Sequence, residues 1–140
     1  MENEFLPYEL AVEMKSIGFD EPCLGYYASK DAKTIRLALW THVGYVNANR
    51  LDDDMVTAPL YQQTFRWLLK EHNLYAVIIP TVTMYWTFKT MTVVEGMIEV
   101  PPYNNVHATD YETREEAELE CVKKLILIIK EKKESWTQKQ

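Results

Sequence analysis

Apolar and polar positions along this chain repeat with two periods, and the changes of period mark its elements. Leu6, Leu10, Met14 and Ile17 fall on one face when wound at 3.6 residues per turn, and with Pro7 in a first turn they predict a helix over residues 7–17. Gly18 supplies a left-handed stop, and Phe19 is placed to fold back onto the last turn. Residues 23–29 and 34–41 are rich in Tyr, Leu, Ile and Trp and are separated by Lys30-Asp31-Ala32-Lys33, which predicts a β-hairpin. In its second strand Ile35, Leu37 and Leu39 point one way, and Thr34, Arg36, Ala38 and Trp40 the other. Residues 44–57 contain Asn47, Asn49 and Asp52-Asp53-Asp54, side chains that bond to nearby backbone in place of a ladder, and predict a flexible loop.

Pro59 opens a second helix through about His72, with Leu60, Tyr61, Thr64, Phe65, Trp67, Leu68 and Leu69 in a broad apolar arc. Residues 74–79, 81–89 and 92–100 then predict three strands, whose short separations fit an antiparallel meander. After Pro80, Val82, Met84, Trp86 and Phe88 share the buried direction, and Thr83, Tyr85, Thr87 and Lys89 share the other. Pro101-Pro102 ends the last run, and an irregular segment leads through Tyr103 toward His107. Thr113 and Glu116 have capping-box spacing, so a final helix begins near Arg114 and runs to about Lys133. One stripe of it carries Ala117, Cys121, Leu125 and Ile128, and a neighbouring one Leu119, Val122, Ile126 and Ile129. The order α-β-β-α-β-β-β-α defines an α+β fold, an antiparallel sheet of about five strands with three helices packed on it, in a single domain spanning 1–140.

Composition agrees with a folded domain: 140 residues, of which 47% are hydrophobic and 26% charged. The net charge of −6 opposes attraction to nucleic acid or anionic membrane, and neither is expected as a partner. Cys23 and Cys121 lie far apart with no CxxC spacing, which points to a reducing cytoplasm. Met1-Glu2-Asn3-Glu4-Phe5 lacks the basic and apolar regions of a signal peptide, and no apolar run is long enough to span a bilayer.

Catalytic chemistry leaves no legible trace. Nucleophile elbow, P-loop, GxGxxG and HExxH spacings are all absent, and the four glycines are scattered singly. His42, His72 and His107 are isolated in sequence, and Asp52-Asp53-Asp54 fits either a solvated turn or a divalent cation. Glu95 and Glu99 fall on one side of a strand, without a shaped pocket to make them an acid and base pair. No catalytic residue, metal ligand or cofactor is therefore predicted. The candidate ligand-binding residues are Arg36, Trp40, Tyr85 and Lys89 on the polar side of the sheet, where an aromatic ring can stack a planar group and a cation can pair with an anionic one. An ordinary exposed sheet face accounts for the same residues.

Leu6-Pro7-Tyr8-Glu9-Leu10-Ala11, the stretch Gly18-Phe19-Asp20-Glu21-Pro22-Cys23 through Tyr26-Tyr27, and Ala58-Pro59-Leu60-Tyr61-Gln62-Gln63 resemble small uncharacterised proteins of gut-bacterial phages and prophages. Phe65-Arg66-Trp67 and the run from Glu115 to Leu125 resemble the same group, and region 74–110 less so. The resemblance implies a bacterial host cell and assigns no active site. Three readings follow: a non-catalytic protein that sequesters a small anionic or nucleotide-like ligand, a module that inhibits or adapts a host protein, and an enzyme whose residues converge only in space. The wide apolar arc of the last helix, with Leu127 outside both stripes, predicts a homo-oligomer through that helix.

Overall fold

The computed structural model describes residues 2–31, 34–38, 46, 54–95, 97–99 and 109–138, and the chain divides into two compact units, Met1–Gln63 and Thr64–Gln140. The predicted α+β class, antiparallel strands and element order are present, with one further short strand.

In the first unit a short 3-10 turn, Glu2–Glu4, precedes helix α1, Tyr8–Ser16. Pro7 stands at its N-cap with φ −59°. The helix ends as its sequence dictates: Gly18 has φ +100°, the Gly18 N–H donates to the Lys15 carbonyl at 3.1 Å, the Phe19 N–H reaches the Met14 carbonyl at 3.0 Å, and the Phe19 ring is buried. Strands β1, Gly25–Tyr27, β2, Ile35–Leu37, and β3, Val56–Ala58, form an antiparallel sheet with β1 in the middle. Each is three residues long, so specific contacts must supply what short ladders do not. The Tyr27 hydroxyl donates to the Leu6 carbonyl at 2.7 Å, and its ring meets Tyr8 edge-on at 5.5 Å. Phe5, Ala11, Tyr27, Val56 and Ala58 form one core cluster of the unit, in which Leu6 and Met14 are also wholly buried. Gly25 is required by space: a Cβ there would stand 2.8 Å from Ile35 Cγ2 and 3.2 Å from the Phe5 ring.

Strand β3 falls at the end of the predicted 44–57 loop. The polar run before it favours a loop, but Val56, Thr57 and Ala58 are all buried, and that burial decides their state over local preference. Val46 bridges Cys23, with backbone bonds of 2.9 and 2.7 Å; the rest of 39–53 lies outside the described residues.

Helix α2, Tyr61–His72, leads into the second unit and buries Thr64, Trp67 and Leu68. Asn73 ends it in the left-handed region, φ 54°, with its N–H on the Leu69 carbonyl at 3.0 Å. Strands β4, Leu74–Pro80, β5, Trp86–Val94, and β6, Met97–Glu99, form the predicted meander in the order β4-β5-β6. Helix α3, Arg114–Gln138, packs on β5 and β4 through Ala117, Cys121, Val122, Leu125, Ile126 and Ile129, all buried. Each large apolar side chain so covered contributes about 1.5–3 kcal/mol. The Thr113 hydroxyl accepts the Glu116 N–H at 3.1 Å, and the Glu116 carboxylate accepts the Glu112 N–H at 3.1 Å. The predicted cap forms, its carboxylate reaching one residue further back.

The strand limits differ from expectation where alternation misleads. Residues 81–85 form a closed turn: the Thr81 N–H donates to the Tyr85 carbonyl at 2.7 Å, the Tyr85 N–H to the Thr81 hydroxyl at 3.2 Å, and Met84 adopts φ 66°. Val82 is fully exposed and Met84 90% exposed, so neither belongs to a buried strand face. β5 instead runs unbroken through Thr90 to Val94 because its register with β4, from Pro80↔Trp86 to Leu74↔Thr92, pairs every residue of β4. Glu95 lies in the next turn with φ 51°, outside the strand that carries Glu99.

Candidate functional site

The four residues proposed from sequence fall in different places. Arg36 is exposed in β2, opposite Tyr26, in the first unit. Tyr85 closes the 81–85 turn and Lys89 stands in β5 opposite Val77, both exposed, in the second unit. Trp40 lies outside the described residues. The register puts Leu74, Ala76 and Ile78 on one face with Thr92, Thr90 and Phe88, and Tyr75, Val77 and Ile79 on the other with Met91, Lys89 and Thr87. Leu74, Thr90 and Phe88 are buried, which marks the first of these as the face under α3, and Lys89 points away from it. Thr87, expected to be exposed, is buried instead, its hydroxyl donating to the Thr109 carbonyl at 3.4 Å. Tyr85 and Lys89 are thus near each other along one chain segment, while Arg36 belongs to another sheet.

The second unit also holds a cleft of about 380 Å³ lined by His72, Leu74, Ile129, Lys132, Lys133 and Thr137. Local chain geometry builds both walls. The left-handed Asn73 reverses the chain between helix and strand, so His72 at the end of α2 and Leu74 at the start of β4 meet the same space. On α3 the spacing of Ile129, Lys132, Lys133 and Thr137 sets four side chains on one helical face. Leu74 and Ile129 are buried and form an apolar floor; His72, Lys132, Lys133 and Thr137 form a polar rim. The Thr137 hydroxyl donates to the Lys133 carbonyl at 2.9 Å, which fixes it against the helix.

Electrostatics at this rim are positive. Burial holds the His72 imidazole below its ordinary value, Lys133 and Lys132 push the same way, and the Glu71 carboxylate pulls against them. The imidazole packs edge-on to Trp67 with ring centroids 5.0 Å apart. Two ammonium groups and an imidazole over an apolar floor can hold an anionic group whose body is apolar. Sequence reasoning took His72 as isolated and ended the last helix near Lys133. The missed signal is the Ile129, Lys132, Lys133, Thr137 spacing, which continues the apolar stripe of α3 into a cationic one.

Cys23 and Cys121 are buried, and desolvation pushes each thiol up to about 12, so neither is a thiolate at neutral pH. At Cys23 the Glu21 carboxylate adds to that rise, while hydrogen bonds with Thr57 and Gln63 oppose it. Of the acidic run only Asp54, exposed, is described; Asp52, Asp53, His42 and His107 lie outside the described residues. Among the described residues no group of three His, Cys, Asp or Glu is gathered to hold a metal ion, and no helix is long and apolar enough to cross a membrane. Comparison with protein families, with curated proteins and with solved structures finds no match.

Proposed function

We propose that this chain is a non-catalytic binding protein that holds a small anionic ligand in the cleft between the end of α2 and the last turns of α3. The observation that carries this reading is the convergence of His72, Lys132 and Lys133 on a floor of Leu74 and Ile129. The volume of about 380 Å³ suits a metabolite or nucleotide fragment, and the lining offers charge for a phosphate or carboxylate and apolar surface for a ring or chain. The resemblance to phage proteins adds the role: sequestering a nucleotide-derived defence signal or other host metabolite in a bacterial cell. Calorimetric titration against nucleoside monophosphates, cyclic nucleotides and ADP-ribose tests it. At least one compound binds tighter than about 1 mM, roughly −4 kcal/mol, and Lys132→Glu with Lys133→Glu abolishes the heat while the circular dichroism is unchanged. Absence of binding across that panel removes the reading. Trp40→Ala and Tyr85→Ala in the same titration weigh the sheet residues against the cleft.

A second reading, a module that docks on a host protein, draws on the β4–β5 turn. It presents Val82 and Met84 to solvent on a turn closed by three hydrogen bonds, and residues 74–88 carry no charge. Self-association through α3 narrows to a smaller patch: Ile126 and Ile129 are buried within the unit, and among the described side chains of α3 the outward large apolar residue is Leu127, 46% exposed. Sedimentation of Leu127→Glu beside the wild type decides whether that residue joins two copies.

A further inference from the structure

We propose that anion binding in this cleft is coupled to proton uptake, the ligand's negative group entering together with a proton that settles on the imidazole of His72. The proposal rests on the binding reading above and adds its regulation. His72, Lys132 and Lys133 line one volume of about 380 Å³ over a floor of buried Leu74 and Ile129. In the unliganded cleft a protonated imidazole would place a third positive charge beside two ammonium groups, over surface that solvates charge poorly. The groups that bear on it are Glu71 from its own helix and Lys132 and Lys133 from α3; Leu74 of β4 and the Trp67 ring bring no charge. Burial and both lysines favour the neutral ring, and among the described residues Glu71 opposes them.

An anion in the cleft reverses this balance. It offsets the ammonium charges and offers an acceptor to the ring, which as imidazolium has two N–H donors where the neutral form has one. The His72 pKa is therefore higher in the complex than in the free protein. Affinity is then greatest below the free-state pKa, falls as pH rises across the interval between the two values, and levels off above the bound-state value. For a shift of about one unit in that pKa the affinities on the two plateaus differ about tenfold.

The test uses the full chain with benzoate, phenyl phosphate and the uncharged control benzamide. Benzoate stays ionised over the range used, so its own titration adds nothing, and phenyl phosphate separates preference for a phosphate from preference for a carboxylate. The proton resonances of His42, His72 and His107 are followed by NMR against pH, with His72→Gln assigning the His72 signal. The expected result is a His72 midpoint that rises by about one unit with saturating benzoate and does not move with benzamide. The dissociation constant of the wild type weakens several-fold, by at most about sixfold for a one-unit shift, from about pH 5.5 to about pH 7.5, and that of His72→Gln does so far less. The NMR midpoint in the wild type stands even if His72→Gln fails to fold. Binding of benzoate or phenyl phosphate with an unmoved His72 midpoint overturns the coupling and leaves the binding reading intact. Binding of neither anion at any pH overturns both.

Discussion

Strands of three residues build the first unit, whereas the second uses strands of seven and nine residues and a helix of 25. The first relies on close fit: Gly25 against Ile35 and Phe5, the Tyr27 hydroxyl on the Leu6 carbonyl, and α1 against β3. Elements of the second extend past what burying a core requires. The β4–β5 hairpin ends in an exposed turn, and the last turns of α3 carry lysines beside His72. Surfaces able to recognise something else arise where an element outruns its own packing, and in the described residues that happens in the second unit.

Substitutions sharpen this contrast. The largest effects come from emptying each core: Met14→Ala in the first unit and Leu125→Ala in the second, both wholly buried, each lower stability by about 2–5 kcal/mol in urea unfolding. Hydrogen exchange on the two variants then shows whether each loss stays in its own unit. Gly25→Ala comes next, costing about 1–3 kcal/mol because the new methyl meets Ile35 Cγ2 at 2.8 Å, and Ile35→Ala in the same chain relieves part of that cost. If Gly25→Ala is neutral, the close-fit account of the first unit is wrong. Thr90→Val should gain about 1 kcal/mol, since its hydroxyl is buried with no hydrogen-bond partner among the described residues.

The smallest expected change is none at all. Cys23 and Cys121 place one thiol in each unit, and both stay unreactive toward a thiol reagent in the native protein, becoming reactive only as their unit opens. Because each thiol is raised in the fold from 9.0 to about 12, its contribution to stability is complete below pH 9 and lost as pH rises from 9 toward 12. Thermal melts of Cys121→Ala across that range should show a shallower alkaline loss than the wild type.

Much of the helical frame was legible because its signals are local. Pro7 and Gly18 bound α1, and Thr113 with Glu116 opens α3, each within a few residues of chain. Strand phasing was harder. Thr81-Val82-Thr83-Met84-Tyr85 has the alternation and residue types of a strand, and only its threonine hydrogen bonds and the pairing of Pro80 with Trp86 make it a turn. Strand β3 is set by burial beside β1, which a polar neighbourhood conceals. The cleft draws on 72–74 and 129–137, and no spacing rule joins segments so far apart. Tyr85 and Lys89 were rightly read as outward, whereas their grouping with Arg36 assumed a single sheet, and the strands fall in two.

Among the described residues, β4 forms an edge of its sheet, and its sequence, Leu-Tyr-Ala-Val-Ile-Ile-Pro, bears no charge. Such an edge is a template for foreign strands, and here only Pro80, which cannot donate to a ladder, blunts one end of it. A chain whose α3 has loosened exposes this uncharged edge to pairing with a strand of another copy, a step whose rate rises with concentration. The storage lifetime of the protein then depends on how concentrated it is kept, and Val77→Glu, which sets a carboxylate opposite Lys89, would lengthen that lifetime without altering either wall of the cleft.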